Sequence, residues 1–230
     1  MKPWEQLDTE TLPAGGGSLG LYRRGQEYAI RIGRTELMNS RMHASEDALA
    51  RLACRDLDTK AARILIGGLG MGFTLAEVLH QRQQPGVADE IIVVELMAAV
   101  VRWNHDYLGR LAGNPLADAR VRVEVADVGA FIAGASKHYD AIILDVDNGP
   151  TALTHPANDG LYSFAGVKSA YRALRPGGVL TVWSAESDAS FTRRLQRADF
   201  SVEEVRVRAR KGRGAHHWIW VARRPKKSTL

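Results

Sequence analysis

Arg63-Ile64-Leu65-Ile66-Gly67-Gly68-Leu69-Gly70-Met71-Gly72 is the stretch on which the fold turns. An apolar run of strand type leads straight into a glycine-rich turn, and a helical pattern begins directly after it, at about residue 72. Glycines let the chain reverse sharply and let its backbone come close to a bound molecule. The N-terminus of the following helix favours a negative or hydrogen-bond-accepting group. Strand, glycine turn and helix in this order therefore predict a ligand-binding crossover. A tight strand–helix turn without a ligand is the competing reading.

Outward from that stretch the same alternation repeats. Glu90–Glu95, Val121–Val125, Ala141–Asp145 and Val179–Trp183 are short runs dense in Val, Ile and Leu, and helical patterns over about 72–83, 97–110, 127–134, 159–174 and 188–198 separate them. Runs apolar on both faces are what a parallel sheet covered by helices requires. Leu174-Arg175-Pro176-Gly177-Gly178 stops one helix and turns the chain back. Ser201–Arg208 and His217–Ala222 then alternate as an antiparallel pair that closes the sheet. Upstream, Leu12–Gly20 is a flexible lead-in with Pro13 and Gly15-Gly16-Gly17, followed by a hairpin of Leu19–Arg24 and Gln26–Met38 around Gly25. Ser45 is read as the N-cap of a helix running to about Arg55, with Glu46 and Asp47 in its first turn. The division is a small hairpin-and-helix unit, 1–58, and a sheet domain, 59–230.

Composition narrows the class without deciding it. The chain has 230 residues, 45% apolar and 25% charged, which suits one α/β domain with a small appendage. Its net charge of +5 is mild. The basic residues Arg206, Arg208, Arg210, Lys211, Arg213, Arg223, Arg224, Lys226 and Lys227 are read as a solvated C-terminal surface, and nucleic acid is not expected as a partner. Cys54 is the only cysteine, so no internal disulfide forms, and it is read as core packing. His216-His217 has no spaced partner for a metal site, and no metal is expected. No apolar run approaches the ~20 residues of a membrane span. Residues 1–12 lack the pattern of a signal peptide, so the cytoplasm is the expected location.

Acids stand at the carboxyl ends of successive strands, where open α/β sheets bind ligands. Glu95 can accept both ribose hydroxyls of a nucleotide, or cap the next helix. Asp127 is read either as a ligand contact or as a simple N-cap. Asp145-Val146-Asp147-Asn148-Gly149-Pro150 puts two carboxylates and an amide at one strand end. Asp145 is a candidate general base toward an amine or hydroxyl, or a group that fixes a cationic centre. The competing reading has these acids cap the following turn. His43 and His155 flank the cleft as candidate proton shuttles or ordinary loop histidines.

The order Gly67-Gly68-Leu69-Gly70-Met71-Gly72, Glu95, Asp127, Tyr139-Asp140-Ala141-Ile142-Ile143-Leu144-Asp145, Leu161-Tyr162-Ser163 and Leu174-Arg175-Pro176-Gly177-Gly178 resembles the spermidine synthase (polyamine aminopropyltransferase) family over about residues 20–185. The resemblance implies a Rossmann-like class I methyltransferase fold: a mostly parallel seven-stranded sheet with an antiparallel C-terminal pair, plus a small N-terminal β-hairpin. It implies a nucleotide site on Gly67, Gly68, Gly70 and Gly72, with Glu95 for ribose, Asp127 for adenine and Asp145 as the catalytic carboxylate. It also implies a homodimer.

The departures bear on the substrate. The family's glycine loop carries an acid, which holds the amine of decarboxylated S-adenosylmethionine, where this chain has Gly70. Its Asp-x-x-Asp becomes Asp145-x-x-Asn148, with Asp147 one residue away as a replacement, and its Tyr-His-Glu becomes Ala44-Ser45-Glu46. Glu46, Asn148 and Tyr162 are the candidate acceptor contacts. The leading expectation is alkyl transfer from S-adenosylmethionine or its decarboxylated form to a small acceptor such as an amine. Asp145 or Asp147 removes the proton, and methyl transfer stands slightly ahead because Gly70 no longer repels the donor's carboxylate. The alternatives are aminopropyl transfer, making spermidine from putrescine, and a non-catalytic nucleotide-binding scaffold or sensor.

Overall fold

The computed structural model describes residues 2–12, 17–84, 86, 88–146, 157–210 and 213–226, without the side chains of 157–159 and 213. Its first element is a four-stranded antiparallel sheet in the order β1 (Glu5–Thr11), β2 (Ser18–Arg24), β3 (Glu27–Ile32) and β4 (Thr35–Asn39). The expected hairpin is thus half of a larger sheet. Two departures account for the difference. The polar segment Glu5–Thr11 pairs along β2, and the run 26–38 breaks at Gly33, whose φ of 56° reverses the chain between β3 and β4.

Next come α1 (Ala44–Cys54), β5 (Arg63–Gly67), α2 (Phe73–Gln81), β6 (Glu90–Glu95), α3 (Ala98–Trp103), β7 (Val121–Val125), α4 (Val128–Ala133) and β8 (Tyr139–Leu144). The chain ends with α5 (Ala157–Tyr162), α6 (Phe164–Ala173), β9 (Leu174–Ser184), α7 (Ala189–Arg197), β10 (Ser201–Arg210) and β11 (Arg213–Arg223). The main sheet has seven strands in the order β10-β11-β9-β8-β5-β6-β7. β9, β8, β5, β6 and β7 are parallel; β11 runs antiparallel to β9, and β10, antiparallel to β11, returns to the common direction.

Several boundaries differ from the sequence reading for local reasons. His43, not Ser45, occupies the N-cap of α1, and it makes no side-chain cap bond. The helix expected to 110 leaves α geometry at Trp103 and continues as a π turn and a 3-10 turn to Ala112, with Asn104 Nδ2 bonded to Gly70 O and Val100 O. The helix expected over 159–174 is two helices, because the Ser163 hydroxyl accepts from Gly166 N at 3.1 Å and starts a new one. β9 begins at Leu174 rather than 179, since Pro176 and the glycines are held in the sheet by a bulge against β8 and by Gly177 N–Arg224 O at 2.9 Å.

Alternation along each strand divides the core in two. Ile64, Ile66, Ile91, Val93, Ala141, Ile143, Ile219 and Val221 face the layer built from α1, α2, α3 and the front sheet. Leu65, Ile92, Val94, Ile142, Leu144, Leu180, Val182 and Trp220 face α4, α6 and α7. Cys54 packs in the first cluster, where burial pushes its thiol up to about 12. No helix among the described residues is long and apolar enough to cross a membrane.

At the amino-terminal edge of the main sheet, Arg82 and Asp89 form a buried pair: Nε–Oδ2 is 2.8 Å and Nη2–Oδ1 is 3.0 Å. The guanidinium also donates to Leu57 O and Thr59 O, and Asp89 accepts from Ala62 N at 2.8 Å. Asp89→Ala leaves that guanidinium buried without its counter-ion, and the expected loss is about 3–5 kcal/mol of unfolding free energy. Urea denaturation of the variant against wild type measures it; a loss below 1 kcal/mol contradicts this account.

Candidate active site

β5 and β8 lie side by side, and the connections leaving their carboxyl ends diverge, which opens a crevice there. Asp145 N donates to Gly67 O and Gly68 N to Val94 O, both at 2.9 Å, so the glycine turn is stitched across three strand ends. Gly68 has φ of 88°, and a Cβ on it would lie 2.3 Å from Asp145 O. Only glycine fits.

The cavity above this seam is lined on one side by Gly68, Gly70, Glu95, Asp127 and Asp145, and on the other by aliphatic residues of the front sheet. Glu95 is buried, and its two carboxylate oxygens accept from Leu69 N at 2.8 Å and Met97 N at 2.9 Å. It therefore clamps the glycine turn to the end of β6. Asp127 is the N-cap of α4, its Oδ1 accepting from Ala130 N at 2.7 Å, and it lies exposed at the cavity rim. Both readings offered for it describe one placement.

Asp145 is half-buried, and its Oδ2 accepts from Thr74 Oγ1 in the first turn of α2. Glu46, from α1, lines the same cavity and is buried. Burial pushes its carboxyl up to about 7, and the nearby Asp145 carboxylate adds to the shift. The site thus holds two neighbouring carboxyl groups on elements far apart in the chain. Gly70 has φ of 52°, and a Cβ there would lie 2.8 Å from Met38 Cε and 3.0 Å from its sulfur. The place where the family carries an acid is covered here by a thioether.

Other candidates fall elsewhere. Tyr162 is buried in the second core cluster, edge-on to Phe191 at 5.6 Å, and is not among the residues lining the cavity. His43 stacks on Phe73 at 4.2 Å, with Nδ1 3.1 Å from Asp47 Oδ1. Asp147, Asn148 and His155 lie outside the described residues. Met38, Thr74 and Trp183 are contributors that the sequence reading missed. Each is an ordinary strand or helix residue whose role arises from contact across the fold. Among the described residues, no cluster of three or more His, Cys, Asp or Glu could hold a metal ion.

Two outcomes follow. Folded Glu46 holds its proton to about pH 7, whereas the unfolded chain holds it only to 4.5. Between those values the folded form binds more protons, so its stability falls as pH rises and the loss is complete above pH 7. Glu46→Gln does not titrate. Relative to wild type it is expected to gain about 3 kcal/mol in going from pH 4 to pH 8. Urea melts at both values measure this, and a gap that does not change with pH refutes it. Glu95→Ala leaves the Leu69 and Met97 amides without their acceptor, so it is expected to cost about 1–3 kcal/mol in ligand-free protein. A purely ligand-facing acid would leave the melt unchanged.

Comparison with known proteins agrees with this architecture. The spermine/spermidine synthase domain model matches residues 42–203. The chain is 33% identical to a polyamine aminopropyltransferase of Mycobacterium tuberculosis over 125 residues, 53% of this chain and 22% of that one. It is 32% identical to the Sodalis glossinidius polyamine aminopropyltransferase over 121 residues, 52% of this chain and 38% of that one. The alignments thus span less than half the length of these curated relatives. The spermidine synthase of Thermotoga maritima superposes with a TM-score of 0.74 at 17% identity, covering 95% of this chain and 72% of that one. A spermidine synthase in complex with the transition-state analogue AdoDATO gives 0.75 at 17% identity, with 95% and 73% covered. With the domain match extending over most of the sequence, from the start of α1 to β10, the chain belongs to the spermine/spermidine synthase family.

Proposed function

We propose that this protein is an aminopropyltransferase that moves the aminopropyl group of decarboxylated S-adenosylmethionine to a small amine. The observation that carries the reading is the pairing of Asp145 with Glu46 in one cavity beside the glycine turn. Two carboxyl groups in aliphatic surroundings favour a cationic guest, because a cation relieves both their repulsion and their desolvation. Glu95 takes the ribose hydroxyls and Asp127 the adenine amino group. Glu46 holds the acceptor's ammonium, and Asp145 removes a proton from the attacking nitrogen. Thr74 fixes the orientation of Asp145. Asp147 and Asn148, next in sequence after Val146, are proposed as further contacts to the amine. The barrier is lowered chiefly by aligning nitrogen, carbon and sulfur.

This order reverses the initial ranking of the two transfers. The curated relatives are polyamine aminopropyltransferases, and they support aminopropyl over methyl transfer. Methyl transfer from intact S-adenosylmethionine remains the second reading on one observation: Gly70 under Met38 presents no carboxylate to repel a donor that keeps its own.

The assay is purified protein with putrescine and each donor in turn. Spermidine and methylthioadenosine are expected with the decarboxylated donor. S-adenosylhomocysteine formed from the intact donor would establish methyl transfer instead, and donor binding without turnover would indicate a scaffold. Asp145→Asn, which keeps the Thr74 bond, is expected to lower kcat by about 10²–10⁴ with little change in donor affinity.

A further inference from the structure

Behind the acid pair, a chain of contacts leads out of the cavity. Ser45 Oγ donates to Glu46 Oε2 at 2.6 Å, and His217 Nδ1 lies 3.0 Å from the same hydroxyl. Ser45 is buried in the first turn of α1, while His217 is on β11 and only partly exposed. His217 shares the strand face of Ile219 and Val221, which packs toward α1. Its ring meets Trp183, a residue lining the cavity, at 4.7 Å and 71°. Two neighbours on α1 and one residue of β11, 172 positions further on, thus join a cavity carboxyl to a partly exposed imidazole.

We propose that Ser45 and His217 form a proton path from Glu46 to solvent. The proposal rests on the aminopropyl-transfer reading for its purpose. In that reaction the acceptor arrives as an ammonium cation and must lose one proton before its lone pair forms the N–C bond. The C–S bond breaks with its electron pair left on a now neutral sulfur, so each turnover leaves one proton to export. Asp145 and Glu46 receive it. Protonated Glu46 donates to Ser45 Oγ, whose hydroxyl turns from Glu46 to His217 and passes its own proton to Nδ1 of the Nε2–H tautomer. The imidazolium so formed releases a proton from Nε2 to water, and proton exchange with water returns the ring to the Nε2–H tautomer as the hydroxyl turns back.

The electrostatic setting suits transfer in that direction. Among the described residues, Asp145 and His43 act on Glu46 through their charge. Further along α1, Arg51 is taken up by Glu77 of α2, and β9 offers Trp183 and no ionisable side chain beside the path. On the outer side His216 adjoins His217, with Arg206 and Arg208 of β10 near His216. Burial and His216 both hold His217 below its ordinary value, so its charged form is short-lived and discharges readily.

Two arms test the path, and the first needs no substrate. In an NMR titration of ligand-free protein, the His217 ring signals are expected to show an inflection near pH 7, that of Glu46, besides their own lower one. Glu46→Gln removes it. A His217 titration curve identical in wild type and Glu46→Gln overturns the proposal, whatever the reaction. In the second arm, His217→Ala is expected to lower kcat about tenfold with KM for putrescine unchanged, and added imidazole restores the rate. Ser45→Ala follows it, whereas Ser45→Thr stays near wild type. His217→Gln, which keeps the packing, is expected to be slow and not rescued; full activity in it overturns the path. If wild type does not turn over, the aminopropyl reading fails and the titration alone decides between a coupled chain and an inert one.

Discussion

The arrangement depends on one close approach of backbone to backbone. Asp145 O stands where a Cβ of residue 68 would be, and only a glycine with positive φ admits it. That contact lets the ends of β5 and β8 meet without a side chain between them. Once they meet, the remaining geometry follows. Glu95 reaches the turn from β6 and holds Leu69, Thr74 at the start of α2 reaches Asp145, and Asn104 ties Gly70 to the turn that ends α3. A rigid cradle results at the one place where the sheet's connections diverge.

Charge is handled in opposite ways at the two edges of the main sheet. At the amino-terminal edge, the buried Asp89 is matched by Arg82, and the guanidinium's remaining donors find carbonyls. At the carboxyl edge, Glu46 and Asp145 approach one another, and the first listener to either is a hydroxyl: Ser45 for Glu46 and Thr74 for Asp145. The first arrangement stabilises the fold. The second raises a carboxyl's hold on its proton to near neutral pH, because the ionised form is costly in an apolar cavity beside another carboxylate, and this suits a site where a cation is held and a proton moved.

The front sheet has a part in this beyond covering the core. Its aliphatic residues form the far wall of the cavity, and Met38 lies over Gly70. Its aliphatic surface beside the acid pair lowers the local polarity and so strengthens the charge interactions there. It also places a thioether against Gly70, the position at which the resemblance marks a departure from an acid.

Much of this was legible in the residues. Alternating apolar runs specified the parallel sheet, because a strand buried on both faces has few other compositions available. The glycine turn and the acids Glu95, Asp127 and Asp145 at the strand ends are readable in the residues, since each belongs to a short local pattern. Local patterns fail where contacts are distant. Nothing in Glu5–Thr11 announces that it pairs with β2, because an exposed polar strand lacks apolar alternation. Ser45 has the chemistry of a cap, yet its hydroxyl is directed to Glu46 and His217, a partner supplied by β11. Sequence by itself determined the fold class and the residues at the strand ends, for those depend on periodicity and on backbone freedom. Only the tertiary structure decided that Glu46 faces Asp145, that Met38 covers Gly70 and that His217 stands behind Ser45, because burial and charge coupling belong to the packed arrangement and not to the chain.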